Sequence, residues 1–187
     1  MKPSLRANAL ALAGLVALAG AQPAQAQQPI CVQSADLSDT VTYALPLAYD
    51  AAMRSCAASY GADSFMRTGA PAFVEGFRAL QDDSWPGTFR FLRTFMAAEA
   101  SGGDPAINAM IATLPEENLR PFVDGLVVQM IGGEIKPDSC GAIERGMELL
   151  SPLPAQNVAG LATFIAELAD VDNPPICGTV TLEAAAE

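Results

Sequence analysis

Residues 138–170 read DSCGAIERGMELLSPLPAQNVAGLATFIAELAD, and this stretch decides the fold. Its apolar residues recur three and four apart, which is the helical period, and no alternation of the kind a strand needs is present. Asp138 supplies an acceptor side chain ahead of Cys140, suited to capping a helix start. Leu153-Pro154 interrupts the run, because proline lacks the N–H that a continuing helix would use. The stretch therefore predicts two helices, 138–150 and 155–170, folded back on one another as an antiparallel hairpin.

A faint copy of this unit lies upstream. Leu114-Pro115-Glu116-Glu117-Asn118-Leu119 parallels Leu153-Pro154-Ala155-Gln156-Asn157-Val158, and Ala106-Ile107 parallels Ala142-Ile143. A second hairpin over 104–131 follows, as a low-identity duplication or a chance likeness between helical pairs. Asp104-Pro105 marks its start, since proline at the first helical position forfeits no intrahelical bond. Gly102-Gly103 and Gly132-Gly133 supply helix stops. With Asn118 as a cap, Pro121 falls in the first turn and is harmless. Proline and glycine divide the rest of the chain into helices near 35–45, 46–60, 71–82, 86–100, 105–113 and 116–131. The expected architecture is all-α, an irregular bundle or short α-solenoid of successive antiparallel hairpins.

The four cysteines, Cys31, Cys56, Cys140 and Cys177, are widely spaced and include no C-x-x-C pair, so they read as two structural disulfides rather than a metal or redox site. In an antiparallel hairpin the start of the first helix lies beside the end of the second, which favours Cys140–Cys177. That bridge would contribute on the order of 3–4 kcal/mol. Cys31–Cys56 is then left, and it requires a break at Pro46, because a straight helix through that proline would hold the two far apart.

The chain opens as a secretory leader does. Lys2 and Arg6 precede an uncharged apolar run from Ala9 to Ala21, followed by small residues at Ala24 and Ala26. The run is well short of the ~20 residues that cross a bilayer. Cleavage after Ala26 is expected, leaving residues 27–187 as one helical domain with a short disordered tail from about 180. Cys31 is not at the cleavage point, so no lipid anchor and no stable membrane anchor are expected, and the address is periplasmic or secreted. Removal of the leader takes two of the ten basic residues and none of the 21 acids, moving the net charge from -11 to -13. A field of that sign repels phosphate, which argues against nucleic acid as a partner.

Histidine is absent, and with it go Ser-His and Cys-His nucleophiles and His-ligated zinc. No G-x-S-x-G, S-x-x-K or phosphate-loop pattern occurs. Asp170-Val171-Asp172 opens like a calcium loop, but Pro174 and Pro175 stand where an oxygen ligand and a turning glycine are wanted. No cofactor or metal is expected. Asp82-Asp83 and Glu116-Glu117 are the remaining acid pairs, each at the expected end of a helix, where the dipole alone accounts for an acid.

The composition is uneven in one place. Phe65, Phe73, Phe77, Trp85, Phe89, Phe91 and Phe95 bring six of eight phenylalanines and the sole tryptophan within 31 residues. Phe73, Phe77 and Leu80 fall on one helical face, as do Trp85, Phe89, Leu92 and Phe95. Arg78, Arg90 and Arg93 accompany them. Phe73, Phe77, Arg78, Trp85, Phe89, Arg90 and Arg93 are the candidate surface for an unknown protein or a small apolar or anionic ligand; a packed core with surface ion pairs is the plainer reading. The function expected is non-catalytic binding by an exported helical protein. A periplasmic chaperone-like or stress protein is one alternative, and a glycan hydrolase using two carboxylates is another.

Overall fold

The computed structural model describes residues 30–99, 116–169, 171 and 174–178. The expected leader, the 105–113 helix with its Asp104-Pro105 start, Gly102-Gly103, the Leu114-Pro115 bend, Asp170, Asp172 and the tail from about 180 lie outside them. Within the described residues the chain is helical and holds no strand, and two disulfides staple it. The fold class implied by the sequence is the one observed.

Helix α1, Ser34–Ser55, is the axis of the molecule. α2 (Phe65–Thr68) and α3 (Ala70–Arg78) follow a turn, then α4 (Gln81–Glu99), α5 (Glu116–Glu134), a 3₁₀ turn (Pro137–Ser139), α6 (Cys140–Leu150) and α7 (Ala155–Leu168). α3, α4, α5 and α7 all pack on α1, while α6 rests on α2. The organising principle is thus one helix wrapped by others. At the Leu153-Pro154 step the chain turns by 119° between the α6 and α7 segments, more open than a closed antiparallel hairpin.

Among the described residues three prolines, Pro46, Pro86 and Pro121, sit inside helices. The expected break at Pro46 does not occur, and α1 runs through it. Pro46 is buried, and the two core clusters that grip α1 on either side hold the helix together where its own ladder loses a bond. Pro86 and Pro121 each stand five residues into α4 and α5, because α4 begins earlier than the sequence suggests, at Gln81, and α5 begins at Glu116, the expected start of the 116–131 helix, rather than after a cap at Asn118. Pro121 is therefore past the first turn. α5 also continues through Gly132-Gly133 to Glu134, and Asp138 lies in the 3₁₀ turn rather than capping α6.

The unbroken α1 overturns the disulfide pairing. At 1.5 Å per residue its 22 residues separate Cys31 from Cys56 by roughly 33 Å, which no disulfide spans. The bridges are Cys31–Cys177, with Cα atoms 5.1 Å apart, and Cys56–Cys140, with Cα atoms 5.7 Å apart. One closes each end of α1. At the N-terminal end an isolated parallel bridge joins Val32 and Ile176, with the Val32 N–H donating to the Pro175 carbonyl and the Cys177 N–H to the Val32 carbonyl, both at 2.8 Å.

The core has two centres along α1. Ala52, Cys56, Tyr60, Met66, Ala70 and Cys140 form one around the second disulfide. Tyr43, Trp85, Leu119 and Val123 form the other, where α1, α4 and α5 meet. α1 and α4 approach so closely at Gly87 that a Cβ there would lie 1.9 Å from Asp39 Oδ2. Only glycine fits that crossing without a shift.

Candidate functional site

The aromatic segment divides between the interior and an open groove. Phe77 has no exposed surface, and Phe73 meets its edge at 5.2 Å between ring centroids. Trp85 is buried, tilted against Tyr43 at 5.2 Å and stacked on Phe89 at 6.0 Å. The stripes that sequence offered as a surface are largely core. Arg78 pairs with Asp50 at 2.9 Å. Arg90 donates through Nε and Nη2 to Asp36 Oδ1, at 3.0 and 2.7 Å. Arg93 lies 5.9 Å from the centre of the Phe89 ring.

Asp36 and Asp50 are 14 residues apart on α1, about 21 Å along its axis, so Arg78 and Arg90 do not share a site. Arg90 and Arg93 do come together. With Asp36 and Thr94 they line an open groove of about 400 Å³. Asp36 neutralises one of the two guanidiniums, so the groove offers an anion little more than the charge of Arg93.

The most connected polar cluster was not foreseen. Tyr43 Oη donates to Asp124 and accepts from Arg120 Nε at 3.0 Å, and Arg120 Nη1 donates to Asp82 at 2.6 Å. The Arg120 guanidinium also covers the rings of Tyr43, at 5.3 Å, and Trp85, at 5.7 Å. Burial, then the hydrogen bond to Asp124, push the Tyr43 phenol far above its ordinary range, while Arg120 opposes this. Asp82 is thereby an ion-pair partner. Tyr43 is buried and the cluster ties α1, α4 and α5 together, as a structural clamp would. Among the described residues no group of three or more His, Cys, Asp or Glu is placed to hold a metal ion.

The surface that stands out is on α7. From Leu149 to Ala166 the sequence runs 18 residues without a charge, in a chain of net charge -11. α7 lays its smaller side chains toward the interior: Val158, Ala159 and Thr163 are buried, with Ala162 and Ala166 beside them partly covered. Its largest apolar residues point the other way. Leu161, Phe164, Ile165 and Leu168 follow the i, i+3, i+4, i+7 pattern of one helical face, and are 43%, 53%, 56% and 67% exposed. Four such side chains expose on the order of 400 Å² of apolar surface, comparable to the largest apolar patch on a typical monomer, which is often functional. Glu167, the first charge after the run, accepts a hydrogen bond from Ser34 Oγ on α1 and so is turned from this face. The signal was present in the sequence as an uncharged helix apolar on both sides.

Comparison with protein families, with characterised proteins and with solved structures finds no match for this chain.

Proposed function

We propose that the chain is an exported, non-catalytic helical protein of a bacterial-type envelope that binds another protein through the outer face of α7. The observation that carries this reading is the exposed stripe Leu161, Phe164, Ile165 and Leu168. The leader-like pattern at residues 1–26 and two disulfides, compatible with an oxidising compartment, support export. The partner expected is an apolar helical surface. In a molecule this acidic the uncharged face is where another protein approaches without like-charge repulsion. A lipid surface suits it less, because helices that lie in membrane interfaces carry Lys and Arg, and α7 carries neither.

The test is native mass spectrometry of the mature protein isolated from its own envelope, beside the double variant Leu161→Ser/Ile165→Ser. The expected result is a defined complex with one other protein, lost in the variant while far-UV circular dichroism and both disulfides are unchanged. A complex that survives the substitutions, a homo-oligomer alone, or a wild-type chain that is monomeric throughout would each overturn the reading.

A further inference from the structure

Between the N-terminal end of α1, the C-terminal half of α4, α7 and the segment 174–178 lies a cavity of about 150 Å³ with apolar walls. Phe91 and Phe95, stacked at 6.3 Å, form one side, and Ala166 of α7 another. Val32, Leu37, Val171, Pro174 and Ile176 line the remainder. An apolar pocket of this volume, open to solvent on one side, has room for a benzene-sized group, or about five carbons of a chain. Phe95 and Val171 stand at its edge, 40% and 43% exposed, so a chain longer than the cavity has apolar side chains to run along as it leaves.

We propose that this cavity binds the methyl end of an unbranched alkyl chain, such as the tail of a fatty acid, and that the Cys31–Cys177 disulfide forms it. Val32 and Ile176 are the immediate neighbours of the two cysteines, and they face one another across the isolated bridge. Two wall residues are thus carried by strands of chain joined through that bond. The segment 174–178 is joined to the chain at Val32 by two backbone hydrogen bonds as well as by this disulfide next to it, so the bond fixes Ile176 and Pro174 relative to Val32. This site is separate from the outer face of α7. Ala166, which it uses, lies on the inward side of that helix, and Leu161 and Ile165 take no part in the cavity.

The experiment is saturation-transfer NMR with 1-hexanol and the mature, oxidised protein. The expected result is stronger transfer to the terminal methyl than to the methylene bearing the hydroxyl. Ala166→Phe should fill the cavity and weaken the apparent affinity at least tenfold. Ile176→Phe, filling it from the opposite wall, should do the same should the first variant disturb α7. Cys31→Ser/Cys177→Ser should lose binding while retaining the helical circular dichroism spectrum. Leu161→Ser/Ile165→Ser should bind hexanol as the wild type does, which separates this result from failure of the protein-binding reading. No transfer in the wild type, full transfer in both cavity-filling variants, or loss only in the Leu161/Ile165 variant would overturn the proposal.

Discussion

α4 and α7 both pack on α1, and both carry large apolar residues at helical spacing, yet they turn those residues in opposite directions. α4 puts Trp85 into the core with Tyr43 and Leu119, and packs Phe89 and Leu92 against them. α7 has a second, smaller-residue face in Val158, Ala159, Ala162, Thr163 and Ala166, and lays that one inward. An apolar stripe shows that a face is to be covered. It does not say by what, and where a helix is apolar on two sides, the smaller side can be the one that approaches its neighbour.

The comparison is tested most severely at Trp85. Trp85→Ala should cost about 3–5 kcal/mol by urea denaturation, because it empties the centre of the α1–α4–α5 core. A loss below about 1 kcal/mol would mean that α4 is not buried as described. Alkali is the next lever. All three tyrosines, Tyr43, Tyr49 and Tyr60, lie in or against the clusters along α1, and burial is the leading cause that lifts each phenol above its ordinary value of 10.0. A folded-state pKa above the unfolded one contributes stability that is full below about pH 10 and is lost as pH rises through the folded value. Absorbance at 295 nm should therefore rise at higher pH than for free phenols, with Tyr43 the last to ionise and its ionisation accompanied by loss of helical circular dichroism. A phenolic titration centred near 10 in the folded protein would contradict the packing around α1.

Two glycines sharpen the contrast further. Gly87→Ala places a Cβ against Asp39 at the α1–α4 crossing, and should destabilise by about 1–3 kcal/mol. Gly160→Ala on α7 meets nothing within 4 Å, so the reduced freedom of the unfolded chain should stabilise the protein by about 0.5–1 kcal/mol. Thermal melts of the pair should move in opposite directions. The smallest effect belongs to the outer face of α7, where Leu161→Ser and Phe164→Ser should each change stability by no more than about 0.5 kcal/mol. A large loss at either would show that something already covers this face.

The sequence carried the helical class and most helix positions, because 3.6-residue periodicity and glycine or proline punctuation are local signals. It misled at Pro46, Pro86 and Pro121, each accommodated within a helix that extends on both sides of it. Tertiary packing outweighs one lost hydrogen bond, and packing is not written locally. The disulfide error descends from the first of these: a break at Pro46 would have brought Cys31 to Cys56, and the continuous helix forbids it. Phe73 to Arg93 attracted attention by composition, but composition cannot say which aromatics are interior. Arg120 and Asp124 gave no signal at all, since their partner Tyr43 is 77 and 81 residues away.

The unbroken first helix has a bearing on how the chain matures. Any chain is made from its N-terminus, so Cys56 emerges 25 residues after Cys31, while the true mate of Cys31 emerges 146 residues after it. The earliest encounter is thus the wrong one. Once Ser34–Ser55 winds into a rod, the two sulfurs are propped at its opposite tips, and the helix acts as a spacer that reserves each for a later arrival.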